Sequence, residues 1–471
     1  MITHILRFEW KNLRADVLVR VFVLIFAILI SYAFYTGYDR VKQHEGSIQE
    51  VLEKERAFYS ELRADLIAIE KGEKNPPRWF EDPRDPYRAG FIRGAGVHVY
   101  FPASELGLLA GGQSDIYAAF IKVPRNEFSV DLENPYKLAA GEFDPAFVLV
   151  FLLPLFIIGL SYNVLSAERE QGTLPLILSQ PVTAFGVLVP KVLIRFLLVW
   201  LTTVASLVLG FGALTGNFFP QGLASVVLFL TLYIAFWFAV ALLINLFSRN
   251  STTNLIILSG IWILFTLVIP TLVNLTANTI HPVPSRVAYV NSIRSASQEA
   301  AKKREEILRE YYGDERELMS RSASEKTIRE TTLENLQVNR YAEILVAETE
   351  SEYQRKLENQ QALVDAYMFL SPSLVLYRAL SKSAGTDGEN YKAFKEVAEN
   401  FKVSWENYFL DRYVRGDVLG PEDYDQFPIY NPDVSQFAIG ADAKYGIGLG
   451  LFLLIVIVLV YAFSSRKVLV S

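Results

Sequence analysis

Glu168, Arg169 and Glu170 form a charged triplet, and Gly172, Thr173, Leu174, Pro175 and Leu176 follow almost at once. The whole stretch, Leu165 to Val182, lies between two long apolar runs. A charged triplet, a glycine break and a short amphipathic turn make a stub that can project from a membrane. Its charges can pair with another protein and its apolar side can enter a groove. The same pattern suits a helix lying flat on the membrane interface, and amphipathicity alone leaves both readings open. Other chemistry is sparse. The four histidines (His4, His44, His98 and His281) are scattered and lack metal-ligand spacing. His98, beside Tyr100, is a ligand-binding candidate set against the plainer reading of a packed histidine. With no Cys, disulfides, thiol catalysis and Cys-ligated metals are excluded. Nothing matches G-x-x-x-x-G-K-[ST], H-E-x-x-H or G-x-S-x-G. No residue of the chain is therefore expected to act as a catalyst or to hold a cofactor or metal.

The elements that must position the triplet are apolar. Of 471 residues, 51% are hydrophobic, and the mean hydropathy is +0.24. The apolar residues are concentrated in six runs nearly free of charge: about Val17–Tyr35, Pro145–Tyr162, Phe185–Leu214, Gly222–Phe247, Asn254–Leu275 and Tyr445–Phe463. The hydrocarbon core of a bilayer is about 30 Å thick and takes about 20 helical residues to cross. The fold class expected is an all-α polytopic membrane protein with six transmembrane helices. A purely soluble enzyme, a collagen-like fibre and a disordered tail are excluded. The first run is long, starts well after Met1 and lacks a small-residue cleavage site, so it is not expected to be a cleaved signal peptide.

Charge sets the expected direction. The N-terminus, the loops after the second and fourth runs and the C-terminus carry +6 in sum, with Arg7, Lys11, Arg14, Arg20, Lys191 and Arg195 among the cations. Residues 39–144 carry −5 and residues 277–444 carry −7. Short positive loops stay in the cytoplasm. The expected layout is an N-terminal segment with the first span (1–38), a first extracytoplasmic domain (39–144) and spans two to five with a cytoplasmic loop at 165–184 (145–276). A second extracytoplasmic domain (277–444) and the sixth span with a cytoplasmic tail (445–471) complete it. Acidic outer segments give no reason to expect nucleic acid as a partner.

In the first outer segment Val41, Ile48, Leu52, Tyr59, Leu62, Leu66 and Ile69 recur at helical spacing, which predicts an amphipathic helix continuing out of the first span. Pro76, Pro77, Pro83 and Pro86 end it. The stretch that follows mixes Gly with short apolar runs and suits a few short strands or turns. The second outer segment predicts a helical hairpin, divided at Gly313-Asp314 or at the Ser-rich stretch 319–326, with coiled-coil packing as one form. Residues 366–442 predict a compact cap near the membrane. No Asp or Glu lies deep in any span, which speaks against an ion-coupled carrier. Arg20, Lys191 and Arg195 sit near the cytoplasmic span ends, where they can snorkel to headgroups. Pro154, Pro190 and Pro270 are expected to kink their helices. Gly446 and Gly450 form a GxxxG pair that suits close helix contact or chance at a helix entry.

The stretch ERE-x-G-T-L-x-L-x-L-S-Q-P-V, Glu168–Val182, resembles the coupling loop of ABC-2-type permeases. Phe369-Leu370-Ser371-Pro372-Ser373, Ser383-Ala384-Gly385-Thr386-Asp387 and Tyr391-Lys392-Ala393-Phe394 resemble a pattern of the subgroup with enlarged extracytoplasmic domains, which includes the NosY permease. The resemblance implies a permease subunit in the bacterial inner membrane, with both termini cytoplasmic. Glu168, Arg169, Glu170, Gly172, Thr173, Leu174 and Leu176 would couple it to a separate ABC ATP-binding subunit that holds ATP and Mg. It also implies a second permease subunit, identical or a related paralogue, and contact with membrane lipid. Export of a lipid, peptide, polysaccharide or sulfur species is one expected role. Relay of ATP-driven motion to a periplasmic or lipoprotein partner, with nothing crossing, is the other.

Overall fold

The computed structural model describes residues 2–75, 77–78, 81–92, 94–114, 118–124, 143–179, 184–247, 250–313, 327–432, 437 and 442–465. Almost everything described is helix. The chain opens with α1 (Ile2–Ala15) and α2 (Val17–Glu70), followed by a short α3 (Pro86–Gly90) and the antiparallel pair β1 (Val97–Tyr100) and β2 (Phe120–Val123). The second span, α4, starts as Pro145–Phe147, passes through a π-turn at Val148–Leu152 and continues as Leu153–Ser161. After α5 (Ser166–Glu170) and α6 (Leu174–Leu178) come the third span α7 (Ala184–Thr215) and the fourth, α8 (Leu223–Phe247). The fifth, α9, runs Ser251–Ile263, a π-turn Leu264–Val268, then Ile269–Ile280. The helices α10 (Arg286–Lys302), α11 (Arg304–Tyr312), α12 (Ile328–Tyr367), α13 (Pro372–Ala384) and α14 (Gly388–Arg415) precede the sixth span, α15 (Ala443–Ser465). Six of these helices are long and apolar enough to cross a membrane, at the positions the hydropathy gave.

Among the described residues, contacts divide the chain into two units: one ends at Pro270 and resumes at Phe369, and the other runs from Thr271 to Met368. The second unit is a hairpin in which α10 and α11 lie along α12. Ile293, Ala300, Leu308, Val338, Ala342 and Val346 are buried in it. Tyr289 stacks on Tyr353 at 4.3 Å, and Thr327 with Glu330 forms a capping box that starts α12. Of the two expected dividers of the hairpin, Gly313 caps the end of α11, while Asp314 and the Ser-rich stretch 319–326 lie outside the described residues.

In the first unit the helix that leaves the first span does not stop at the span's end. α2 is 54 residues long, and Ile48, Leu62, Leu66 and Ile69 bury the stripe that the sequence marks. Its partners come from both long segments between the spans. Leu62, Ala89, Val97, Val99, Ile121 and Val123 share one core with Phe394, Ala398, Trp405, Phe409 and Leu419. Trp405 Nε1 donates to the Gly90 carbonyl at 3.0 Å. Gly90 is glycine for a steric reason, because a Cβ there would fall 2.6 Å from the Phe409 ring.

Within residues 366–442, where a compact cap near the membrane is expected, the helices pack in two places. α14 joins the core shared with α2, and α13 packs against α8, α15 and the π-turns of α4 and α9. Each π-turn meets a proline. Ile269 N–H bonds Leu264 rather than Phe265, and Pro270 has no N–H to offer, so the Phe265 carbonyl lacks a helical donor. The Ser371 hydroxyl donates to it. Pro154 likewise returns no bond to Val150, and the Tyr233 hydroxyl donates to that carbonyl at 2.7 Å while meeting Ser373 Oγ at 3.0 Å. The Leu-Ser-Pro-Ser motif therefore caps α13 and completes the two irregular spans, directly and through Tyr233. The second motif closes α13. Gly385, at φ +73°, is its left-handed cap, the Ala384 carbonyl accepts from Ser104 Oγ at 2.6 Å and that of Thr386 from Gln113 N–H at 2.8 Å.

Candidate functional site

The loop between the second and third spans folds into two short helices, α5 and α6, joined at Gln171–Thr173. Gly172 has φ +71°, a conformation glycine takes without a Cβ penalty. Thr173 N–H and Oγ1 both return to the Glu168 carbonyl, at 3.0 and 3.1 Å, and Oγ1 also bonds the Glu168 carboxylate. The glycine turn thus folds α6 back on α5. Leu174 is buried and pins that turn, whereas Leu176 is 72% exposed. Arg169 is half-buried, in the last turn of α5. Gln180, Pro181 and Val182, the end of the motif, lie outside the described residues.

The carboxylates read as charges for another protein find partners in their own chain. Glu168 Oε1 lies 2.6 Å from the Lys191 ammonium of α7. Glu170 accepts from Ser251 N–H at 2.6 Å and Ser251 Oγ at 3.0 Å, at the start of α9, where unpaired helix amides favour an anion. Of the cations placed near the span ends, Lys191 pairs with Glu168, and Arg195 with Glu9 of α1 at 2.7 Å. Neighbouring helices cover most of both cations, whose side chains are 12% and 14% exposed.

Behind the loop is a buried polar cluster that hydropathy reading passed over. Asn245 of α8 donates to the Ser161 and Ala241 carbonyls, both at 2.9 Å, and accepts from Leu165 N–H at 3.3 Å. Asn254 of α9 donates to the Tyr162 carbonyl at 2.8 Å and meets Ser166 Oγ and Asn245 Oδ1 at 3.3 Å. Ser166 Oγ lies 2.9 Å from Ser251 Oγ. The signal was present as two asparagines inside otherwise apolar runs, since buried amides need partners.

Within this chain the glycines of the sixth span differ in what surrounds them. A Cβ at Gly450 would meet nothing within 4 Å, and one at Gly446 would make ordinary contact with Phe229 at 3.4 Å. The close approach is at Gly448, where a Cβ would lie 2.7 Å from the Phe369 ring. Of the histidines, His98 is bound by Glu55, which accepts from its backbone N–H at 2.7 Å and meets Nδ1 at 2.9 Å. His44 Nε2 meets the Phe101 carbonyl at 3.1 Å. No group of three His, Cys, Asp or Glu that could hold a metal occurs among the described residues.

The arrangement presents an exposed apolar side chain on a braced stub. A two-helix stub is fixed at its root to three spans and carries an exposed leucine at its tip. Comparison with curated proteins and with solved structures returns no match. Residues 3–469 match the family described as ABC-2 family transporter protein, and the chain, with six apolar helices and a braced loop between the second and third, belongs to that family.

Proposed function

We propose that this permease subunit is driven by ATP hydrolysis in a separate ABC ATP-binding subunit that docks on the loop Glu168–Leu178. The observation that carries the reading is the loop itself, anchored on three spans with Leu176 exposed at 72%. An apolar side chain held out on a short rigid stub suits insertion into a partner's groove, where burial of a leucine contributes roughly 1.5–3 kcal/mol. ATP and Mg belong to the partner. The positive short loops support a cytoplasmic loop and termini, with the two acidic segments on the outer face of a bacterial inner membrane. A second permease copy, or a related paralogue, completes the transporter. The Ser371–Ser373 and Ser383–Asp387 motifs support placement in the NosY-like subgroup. Export is the direction favoured, because nothing among the described residues of the outer segments resembles a docking site for a substrate receptor.

A second reading rests on α2, one helix of 54 residues running from the first span into the outer core. A continuous rod of that length suits relay of motion to a periplasmic or lipoprotein partner without cargo. The test of docking is capture of the ATP-binding subunit by the wild-type chain and by Leu176→Asp. The expected result is loss of capture with membrane insertion retained. Undiminished capture by Leu176→Asp would overturn docking at this loop.

A further inference from the structure

The loop carries two carboxylates, and both are spent inside the chain. Glu168 and Lys191 are each largely covered, with side chains 23% and 12% exposed, and Thr173 holds the other carboxylate oxygen. Drawing Glu168 away to pair with a partner's cation would strand a mostly buried ammonium, which is costly. Glu170 holds the backbone amide and hydroxyl of Ser251 together, and Ser251 in turn touches Ser166 on the loop's first helix. Asn254, one turn further along α9, is bonded to the end of the second span. The loop is therefore tied at two points, to the start of the third span by Glu168 and to the start of the fifth by Glu170.

We infer that Glu168 and Glu170 are positioning residues that brace the loop to the third and fifth spans, so that loop and span ends move as one body while docking falls to the apolar turn Leu174–Leu178. This rests on the docking function proposed above and assigns its parts. A displacement of the Leu176 tip is passed on as tension and compression through the Glu168–Lys191 pair and the Glu170–Ser251 cap. Without the brace, the stub would pivot at its root, the turn Tyr162–Leu165, and the starts of the third and fifth spans would stay still. Coupling requires a connected element with two arrangements that nucleotide state biases differently, and these two contacts supply the connection.

The chain has no Cys, so cysteines introduced at exposed Ser179 and Thr252 are unique sites for spin labels. The complex with its ATP-binding subunit is reconstituted in lipid nanodiscs, and the distance between the labels is measured with and without ATP. In the wild type one distance is expected in both states. With Glu170→Ala, partner capture stays within about twofold, the distance broadens on ATP addition, and coupling falls roughly two- to thirtyfold. Glu170→Gln, which keeps an acceptor oxygen, restores the single distance. For the other contact, Glu168→Lys loses coupling and the swap Glu168→Lys with Lys191→Glu recovers it. Loss of capture in Glu170→Ala or Glu168→Lys while the wild type captures normally would make these residues docking contacts and overturn the brace. So would an unchanged single distance in Glu170→Ala. If the wild type itself captures no ATP-binding subunit, the docking reading fails, and the brace as a coupling device fails with it.

Discussion

The Glu168 carboxylate and the Lys191 ammonium, 23 residues apart in sequence, stand 2.6 Å apart across the root of the loop. Both are mostly covered, so the pair is shielded from water and salt more than a surface ion pair. Glu168→Gln and Lys191→Met are each expected to lower thermal stability, and the double variant to lose less than the sum. The coupling expected from a double-mutant cycle in detergent is about 1–3 kcal/mol. Strict additivity would show that the pair does not hold the loop.

The Ser371 and Tyr233 hydroxyls each serve a carbonyl that a proline leaves without a helical donor. Removing either hydroxyl leaves a buried carbonyl unpaired, at about 1–3 kcal/mol. Ser371→Ala and Tyr233→Phe are therefore expected to destabilise the chain, whereas Thr279→Ala, whose hydroxyl bonds its own helix at an exposed site, is expected to change little. Thermal unfolding of the three variants checks this. Equal stability for all three would mean that the π-turns do not need these donors.

The spans and the amphipathic continuation of the first one were legible because one-dimensional patterns carry them. Twenty apolar residues cross a bilayer wherever their partners lie, and the stripe at Ile48, Leu62, Leu66 and Ile69 needs only a helix to become a face. The core shared by Leu62 and Trp405 was not legible, since nothing local in either segment names the other. α13 was missed for a different reason. At 13 residues it is too short for a span and too polar for a lipid-facing helix, and it is tolerated among the spans because protein surrounds it. At the loop, residue types announced charge and apolar surface, but not that Lys191 and Ser251 would claim the charges. The chemistry of Glu168 and Glu170 was readable; whether they face inward or outward depends on tertiary structure.

Gly448 and Gly450 separate two roles that sequence spacing merges. A methyl group at Gly448 must displace Phe369, while one at Gly450 enters open space. Gly448→Ala is expected to cost about 1–3 kcal/mol through overpacking. Gly450→Ala is expected to be neutral or to stabilise by up to about 1 kcal/mol, as alanine favours helix over glycine. Melting temperatures of the two purified variants decide between them, and the reverse order would contradict the packing of Phe369 on the sixth span.

Lys382 is buried in α13 beside Glu389, which bonds it, and Asp387 at 3.7 Å. Burial disfavours its ammonium, but the Glu389 hydrogen bond and the two carboxylate charges outweigh that, and its pKa is raised. The Lys382 hydrogen bond lowers Glu389 against the opposing effect of burial. Burial raises Asp387 in spite of Lys382. The signs follow by linkage. The Glu389 contribution is present above its unfolded value of about 4 and is lost as pH falls through its lowered folded value. The Lys382 contribution is present below about 10 and is lost as pH rises through its raised folded value. Asp387 acts oppositely in acid, because its protonation favours the folded chain and offsets part of the Glu389 loss. Relative to wild type, Glu389→Gln should therefore flatten the acid limb of a stability–pH curve and bring the alkaline loss to lower pH. Asp387→Asn should steepen the acid limb. Melting temperatures across the acid and alkaline limbs test both directions, and superimposable curves for the three proteins would show that this cluster does not titrate with folding.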